Sequence, residues 1–403
     1  MHTDLRVVVL SAAVSVLLGC GDASHAIDQV KSWDSAGVEI VVNPDVPLPE
    51  WTIDPAPFVD IGTADGRDGQ DLALPWSSVR FGDGRIAISN GQSNELRFYD
   101  SDGQFIRSVG REGEGPGEFR AIGLVQLGRA DTIIVSDGIL SRLTLFSPSG
   151  EFGRTIRLEA IENRGPQLRG VLSDTIVLFR IRLYGRSGGR SIPVRDTLLL
   201  TTRPLDGGVT TVIGRFPAQE KFNQILPNRS VMGWNLPFGR NVHTAVTGNR
   251  VWVGVSDSYE LMGFGPTGDL RSVVRLDRPT LRVEQTDRSR FLEHQLSGIE
   301  DDDLRRTYES FHQIVDFPET MPAFSALKSD PLGYVWVQDY RPPWEEGEPE
   351  WRAFETSGNQ VAVLQTPEGL QIQEIGADYV MGLWRDPLGI EHIRVYRLSR
   401  KTS

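Results

Sequence analysis

Short stretches in which apolar and polar residues alternate recur along the chain, and most end on the same cue. Ile86/Ile88, Leu96/Phe98, Val251/Val253/Val255 and Val335/Val337 keep a period of two. That period marks a strand whose side chains point to opposite faces in turn. Such strands lead into an aromatic residue, three turn formers and a glycine: Tyr99-Asp-Ser-Asp-Gly103, Phe146-Ser-Pro-Ser-Gly150, Phe264-Gly-Pro-Thr-Gly268 and Phe354-Glu-Thr-Ser-Gly358. The glycine suits the left-handed position of a short hairpin loop. Displacing residues 85–107 by 47 lays Ile86 on Ile133, Leu96 on Leu143, Gly103 on Gly150 and Arg107 on Arg154 without a gap. A further displacement by 118 lays Ile133 on Val251 and Phe146 on Phe264. One supersecondary unit, a small antiparallel meander, is therefore repeated.

Six units fit the chain, beginning near Trp76, Ala121, Leu168, Val242, Ala323 and Leu370. The third is the most degenerate, its beat surviving as Arg203-Pro-Leu-Asp-Gly207. The sixth ends one strand short, while Val38–Val42 and the stretch near Phe58–Ile61 are spare at the other end. An array with free edges invites aberrant pairing, and closure removes the edges. The expectation is an all-β fold over residues 36–398: a six-bladed β-propeller closed by an N-terminal strand. An open β-solenoid is the alternative, although its repeats are usually shorter and need caps. Between units four and five the period changes. Phe291, Leu292 and Leu296 fit one helix; Leu304, Tyr308 and Phe311 fit another, preceded by Asp301-Asp-Asp303. Acidic residues satisfy the free N–H groups and the dipole at a helix start. A small helical insertion is predicted at about 284–314, packed over one rim; a lid over the central channel is the sharper alternative.

The segment Gly110-Arg-Glu-Gly-Glu-Gly-Pro-Gly-Glu-Phe119 joins the first unit to the second. It resembles the glycine-rich linker of NHL-type propeller repeats. Together with Asp83-Gly-Arg-Ile-Ala-Ile88, the beat, and the closing stretches Asp378–Asp386 and His392–Leu398, it is similar to bacterial six-bladed propeller lipoproteins of that superfamily. The resemblance implies a fold more than an activity, and a fold does not fix function. Some propellers that resemble NHL repeats and lactonases are metal-dependent.

An apolar run at Val7–Leu18 follows Arg6 and ends Leu17-Leu18-Gly19-Cys20. It is too short to span a bilayer comfortably. It resembles a lipobox, which makes Cys20 the candidate lipidation site, residues 1–19 a lipoprotein signal peptide and residues 20–35 a polar tether. Cys20 is the only cysteine, so no intramolecular disulfide can form. Several acyl chains would anchor the protein stably to a membrane. Gly21 follows the cysteine where inner-membrane lipoproteins often carry aspartate. The expected address is the cell envelope, on the periplasmic side of the outer membrane or the cell surface.

Charged residues make up 24% of the chain and give a formal net charge of −12, with four lysines and scattered arginines. No basic run is present to neutralise a row of phosphates, so nucleic acid is not an expected partner. The linker at 110–119 lacks the Lys-Ser/Thr ending of a phosphate loop. Gly185-Arg-Ser-Gly-Gly189 matches G-x-S-x-G, yet polar loop flanks it on both sides. Asp100-Ser-Asp102-Gly103 begins like a calcium loop, but position twelve falls on Arg111; it reads as a hairpin turn. Trp252, Trp336 and Trp384 recur on second strands and read as core. His243 lies on an expected inner strand and is a candidate channel-facing residue. Tyr340, Trp344 and Trp351 flank a run of glutamates and are a candidate ligand loop, for a glycan or a basic protein. No metal ligands have local spacing and no cofactor is expected, although a propeller channel can hold a divalent cation. These residues describe a lipid-anchored binding or scaffolding module for an unknown partner. The alternative is a hydrolase or lyase with a metal in the channel.

Overall fold

The computed structural model describes residues 29–63, 69–184, 191–225 and 229–401. The chain opens with a hairpin, β1 (Lys31–Ser35) and β2 (Val38–Pro44), then β3 (Glu50–Ile53) and β4 (Val59–Ile61). Blade 1 follows as β5 (Pro75–Arg80), β6 (Ile86–Asn90), β7 (Glu95–Tyr99) and β8 (Phe105–Val109). Blade 2 is β9 (Ile122–Leu127), β10 (Ile133–Asp137), β11 (Arg142–Phe146) and β12 (Phe152–Arg157). Blade 3 has five strands: β13 (Gln167–Leu172), β14 (Ile176–Leu183), β15 (Ile192–Pro204), β16 (Thr211–Ile225) and β17 (Val231–Asn235). Blade 4 is β18 (Val242–Thr247), β19 (Arg250–Val255), β20 (Glu260–Phe264) and β21 (Leu270–Asp277). Two helices, α1 (Gln285–Leu296) and α2 (Asp302–Ile314), intervene. Blade 5 is β22 (Phe324–Ser329), β23 (Val335–Asp339), β24 (Glu350–Phe354) and β25 (Gln360–Gln365); blade 6 is β26 (Gln371–Ile375), β27 (Tyr379–Arg385) and β28 (Glu391–Ser399). All six units start within a residue or so of the positions read from the sequence.

Blade 6 receives its fourth strand from the N-terminal region, since β4 pairs antiparallel with β28 through Ile393↔Ile61 and Val395↔Val59. Of the two spare stretches, the one near Phe58–Ile61 therefore closes the ring. The other, β2, adds parallel to β21 on the outside of blade 4. Residues 31–35, expected within a tether, form β1 and pair with β2; the polar side chains there mark an edge strand rather than free chain. Strand β3 bridges blades 5 and 6, parallel to β25 and antiparallel to β28. The first strands adjoin in the order β5, β9, β13, β18, β22, β26 and back to β5, encircling an axis. The fold is a six-bladed β-propeller.

Six apolar clusters hold the ring, one at each seam between neighbouring blades. Ile88 and Tyr99 of blade 1 meet Met381 and Val395 of blade 6, for example, and Phe98 meets Val125 and Phe146 across the next seam. Trp252 and Trp336 are fully buried in two others. The recurring glycine is explained here. Gly103 has φ of 82°, and a Cβ there would lie 2.9 Å from Val59 of blade 6. Gly358 has φ of 87°, and its Cβ would lie 2.7 Å from Val274 of blade 4. A residue with a side chain is opposed twice, by the backbone and by the preceding blade.

The helices are locked at their starts. Glu284 and Asp287 exchange side-chain and backbone bonds across the start of α1, and Asp301 Oδ1 accepts from Leu304 N at 2.8 Å at α2. The pair packs on one rim: Phe311 of α2 meets Phe222 of β16 and stacks on Trp234 of β17. No residue of either helix lines the axial channel. Among the described residues no helix is long and apolar enough to cross a membrane.

Candidate functional site

The start of each inner strand opens onto the rim where the helices also lie. Five of the six inner strands slip register there by one residue, so that Trp76 of β5, Arg169 of β13, Ser325 of β22 and Gln373 of β26 fall outside the pairing, with a matching slip in β9 between Ile122 and Val125. A bulge turns the extra side chain out of the sheet plane. The repeated bulges crown the mouth of the axial channel.

The channel encloses about 570 Å³ and is lined by inner strands of all six blades. Its charged residues are Arg169, Arg180, Lys328 and Glu374. Glu374 is engaged: Tyr379 Oη donates to one oxygen and Arg80 N donates to the other at 3.0 Å. Burial raises its pKa, which weakens its claim as a counter-charge. Lys328 Nζ donates to Gln373 O at 3.1 Å, and burial lowers its pKa to about 8. Arg180 Nε donates to Gln167 Oε1 at 3.0 Å; desolvation, with Arg182 nearby, lowers its pKa to about 10. Arg169 differs. Its Nε is shut off from solvent and has no hydrogen-bond partner among the described residues. An excess of half-buried cations with one guanidinium short of partners is an arrangement that favours an incoming anion.

A second cavity of about 800 Å³ opens beside the channel mouth, between blades 1, 2 and 3. Trp76, Leu124 and Arg169 line both, so the two adjoin. Arg120, Arg164, Arg169 and Arg182 lie on this groove, against a single carboxylate, Asp137. Asp137 is already satisfied by the backbone N–H groups of Arg120, Ile139 and Leu140 at 2.8–3.0 Å. Arg164 stands over the ring of Tyr184, 4.6 Å from its centroid. Trp76 is 62% exposed and Tyr184 55% exposed. Trp76 lies against Gly91, where an added Cβ would be 2.3 Å from the indole Nε1. One side of the indole rests on backbone and the rest faces water.

His243 of β18 lines the channel, edge-on to Phe324 at 5.6 Å, and burial lowers its pKa to about 4. It is a neutral imidazole at ordinary pH. Tyr340, Trp344 and Trp351 are not gathered on one open surface. Trp351 is 2% exposed, in the cluster between blades 5 and 6. Trp344 is half-buried against Phe238 and Phe291, and burial raises the Tyr340 pKa to about 12. Cys20 and the segment 185–189 lie outside the described residues. Asp100 forms the expected hairpin turn, accepting from Asp102 N and Gln104 N. Among the described residues no three His, Cys, Asp or Glu side chains are grouped to hold a metal ion. The sequence reading passed over Arg169, Arg180 and Arg182, which are dispersed along the chain and meet only because Gln167 pairs with Arg180 across β13 and β14.

A family model, DUF5128, described as a 6-bladed beta-propeller, matches residues 72–166. Among solved structures, the chain is similar to a member of the DUF4221 family from Bacteroides vulgatus, at 11% identity and a TM-score of 0.54, covering 89% of this chain and 100% of that one. It also overlays a putative exported protein from Bacteroides fragilis at 13% identity and a TM-score of 0.48, covering 90% and 99% of the two chains. A catalytically inactive virginiamycin B lyase from Staphylococcus aureus, with quinupristin, aligns at 9% identity and a TM-score of 0.41, over 87% and 100%. No curated protein matches this chain.

Proposed function

We propose that this chain is a lipid-anchored propeller of the bacterial cell envelope that binds an anionic ligand at the mouth of its axial channel. The anchor and address rest on the apolar run before Cys20. The binding role rests on one observation above the others: Arg169, half-buried and turned out of β13 by a bulge, lines the channel mouth where cations outnumber the single carboxylate Glu374. Guanidinium groups keep their charge when half-buried and hold planar carboxylates through paired hydrogen bonds. The chain as a whole is acidic, so long-range attraction does not assist; recognition is local and selective for ligands that fit the mouth.

The test is calorimetric titration of the full chain with galacturonate and citrate at low and moderate salt. Binding that weakens with salt and falls about tenfold or more in Arg169→Ala supports the reading. Absence of binding for both probes, or equal binding by the variant, overturns it. A channel-metal hydrolase or lyase would draw on Glu374 and His243, and Glu374 is already engaged by Tyr379 and Arg80.

A further inference from the structure

The groove beside the channel has features that the channel alone does not explain. It is the larger of the two cavities, and each is within the size range of ligand pockets, about 300–1,000 Å³. It presents four arginines against a carboxylate already consumed by its own loop. It also presents an indole that is mostly exposed although Phe81, Phe98 and Tyr99 of the same blade are buried. Large apolar rings left facing water beside a cavity mark contact surfaces. Trp76 and Arg169 belong to both cavities, so the groove begins where the channel mouth ends.

Resting on the channel reading above, we propose that the groove is a saccharide subsite and that the ligand is an oligosaccharide bearing carboxylates, an oligouronate. Its terminal acid sits at Arg169 in the channel mouth, and the following residues lie along Trp76, Arg120, Arg164 and Tyr184. A pyranose uronate carries an apolar C–H face and a carboxylate on one rigid ring. That is the pairing offered by an open indole with guanidinium groups around it. An acidic peptide has its carboxylates on flexible arms and no ring face to set on Trp76, and ordering those arms costs more on binding. Arg120 and Arg182 have carboxylates at 3.7 Å in Glu114 and 3.9 Å in Asp196, whereas a neutral glycan would bring no counter-charge to Arg164 and Arg169.

The experiment titrates the full chain with galacturonate, trigalacturonate, methyl-esterified trigalacturonate and triglutamate. Trigalacturonate is expected to bind at least tenfold more tightly than galacturonate, and its methyl ester at least tenfold more weakly than the free acid. Trp76→Ala should weaken trigalacturonate about five- to tenfold and galacturonate by a smaller factor. Unchanged thermal unfolding of Trp76→Ala shows that the loss is local. Equal binding of the mono- and trisaccharide, equal binding of the ester, or tighter binding of triglutamate overturns the saccharide subsite. If galacturonate still binds and depends on Arg169 in those cases, the channel reading survives; if no acid binds at all, both fall.

Discussion

The rim of this propeller is built in two ways. From the outer strands of blade 3 round to blade 5, long segments rise from the rim and pack on one another. The strands β15 and β16 run 13 and 15 residues, β17 adds a fifth strand, and α1 and α2 settle against them. Trp234 and Phe311 stack with centroids 4.8 Å apart, and Trp344 closes on Phe238 and Phe291. From blade 1 to the inner strands of blade 3, no helix or added strand among the described residues packs over the connections. There the aromatic residues Trp76 and Tyr184 face water beside arginines. Both regions contain aromatic residues on loops, so aromatic content does not separate a structural loop from a binding one. What separates them is whether each ring has other rings to cover it.

Breaking the covered half should have the larger effect on stability. Phe311 is 1% exposed and contacts Phe222, Trp234 and His312. Phe311→Ala should cost about 3–5 kcal/mol, concentrated in the cap. Hydrogen exchange read residue by residue should show faster exchange in 285–314 and 231–235 while the inner strands stay protected. Uniform acceleration over all six blades would mean that the cap and the ring unfold as one unit.

Within the covered half, on the inner strand of blade 4, His243 links stability to pH. Its folded pKa, about 4, lies below the ordinary 6.5 because the ring is buried in the channel wall. As pH falls from 6.5 towards 4, the unfolded chain takes up a proton that the folded chain refuses, and stability declines. The cost grows to about 3 kcal/mol at the foot of that window. His243→Gln should flatten the stability curve between pH 4 and 6.5 and leave it unchanged above pH 7, relative to its own plateau. Parallel acid limbs for the two proteins in denaturant titrations would remove His243 from this role.

Much of the ring was legible in the sequence because its physics is local. Period-two alternation reports strands, and a glycine at the end of each beat reports a left-handed turn that must also clear the neighbouring blade. The helical insertion was legible for the same reason, since Leu304, Tyr308 and Phe311 share one helix face. The closing strand was less so. Three residues, Val59–Ile61, complete blade 6, while the longer and more apolar Val38–Pro44 goes to blade 4; partner choice is a matter of tertiary reach, which alternation does not report. The channel mouth was the least legible. Trp76 marks the start of a strand in the sequence, and only the bulge between Pro75 and Ser77 turns it outward. Arg169, Arg180 and Arg182 never form a basic run, and the pairing of β13 with β14 is what gathers them.

The two tryptophans of the two rim sectors give the sharpest comparison, and the smallest changes in stability. Trp344 is half-buried between Phe238 and Phe291, so Trp344→Ala should lower stability by about 1–2 kcal/mol. Trp76 rests on Gly91 and is otherwise open, so Trp76→Ala should change stability by about 0.5 kcal/mol or less. Binding should follow the opposite order: trigalacturonate affinity should drop with Trp76→Ala and hold with Trp344→Ala. Urea unfolding and calorimetry on the same two variants read both quantities. A variant pair in which Trp344→Ala lost the ligand and Trp76→Ala did not would move the binding surface to the covered sector, because an indole already enclosed by other rings can affect a ligand only if the cap itself takes part in holding it.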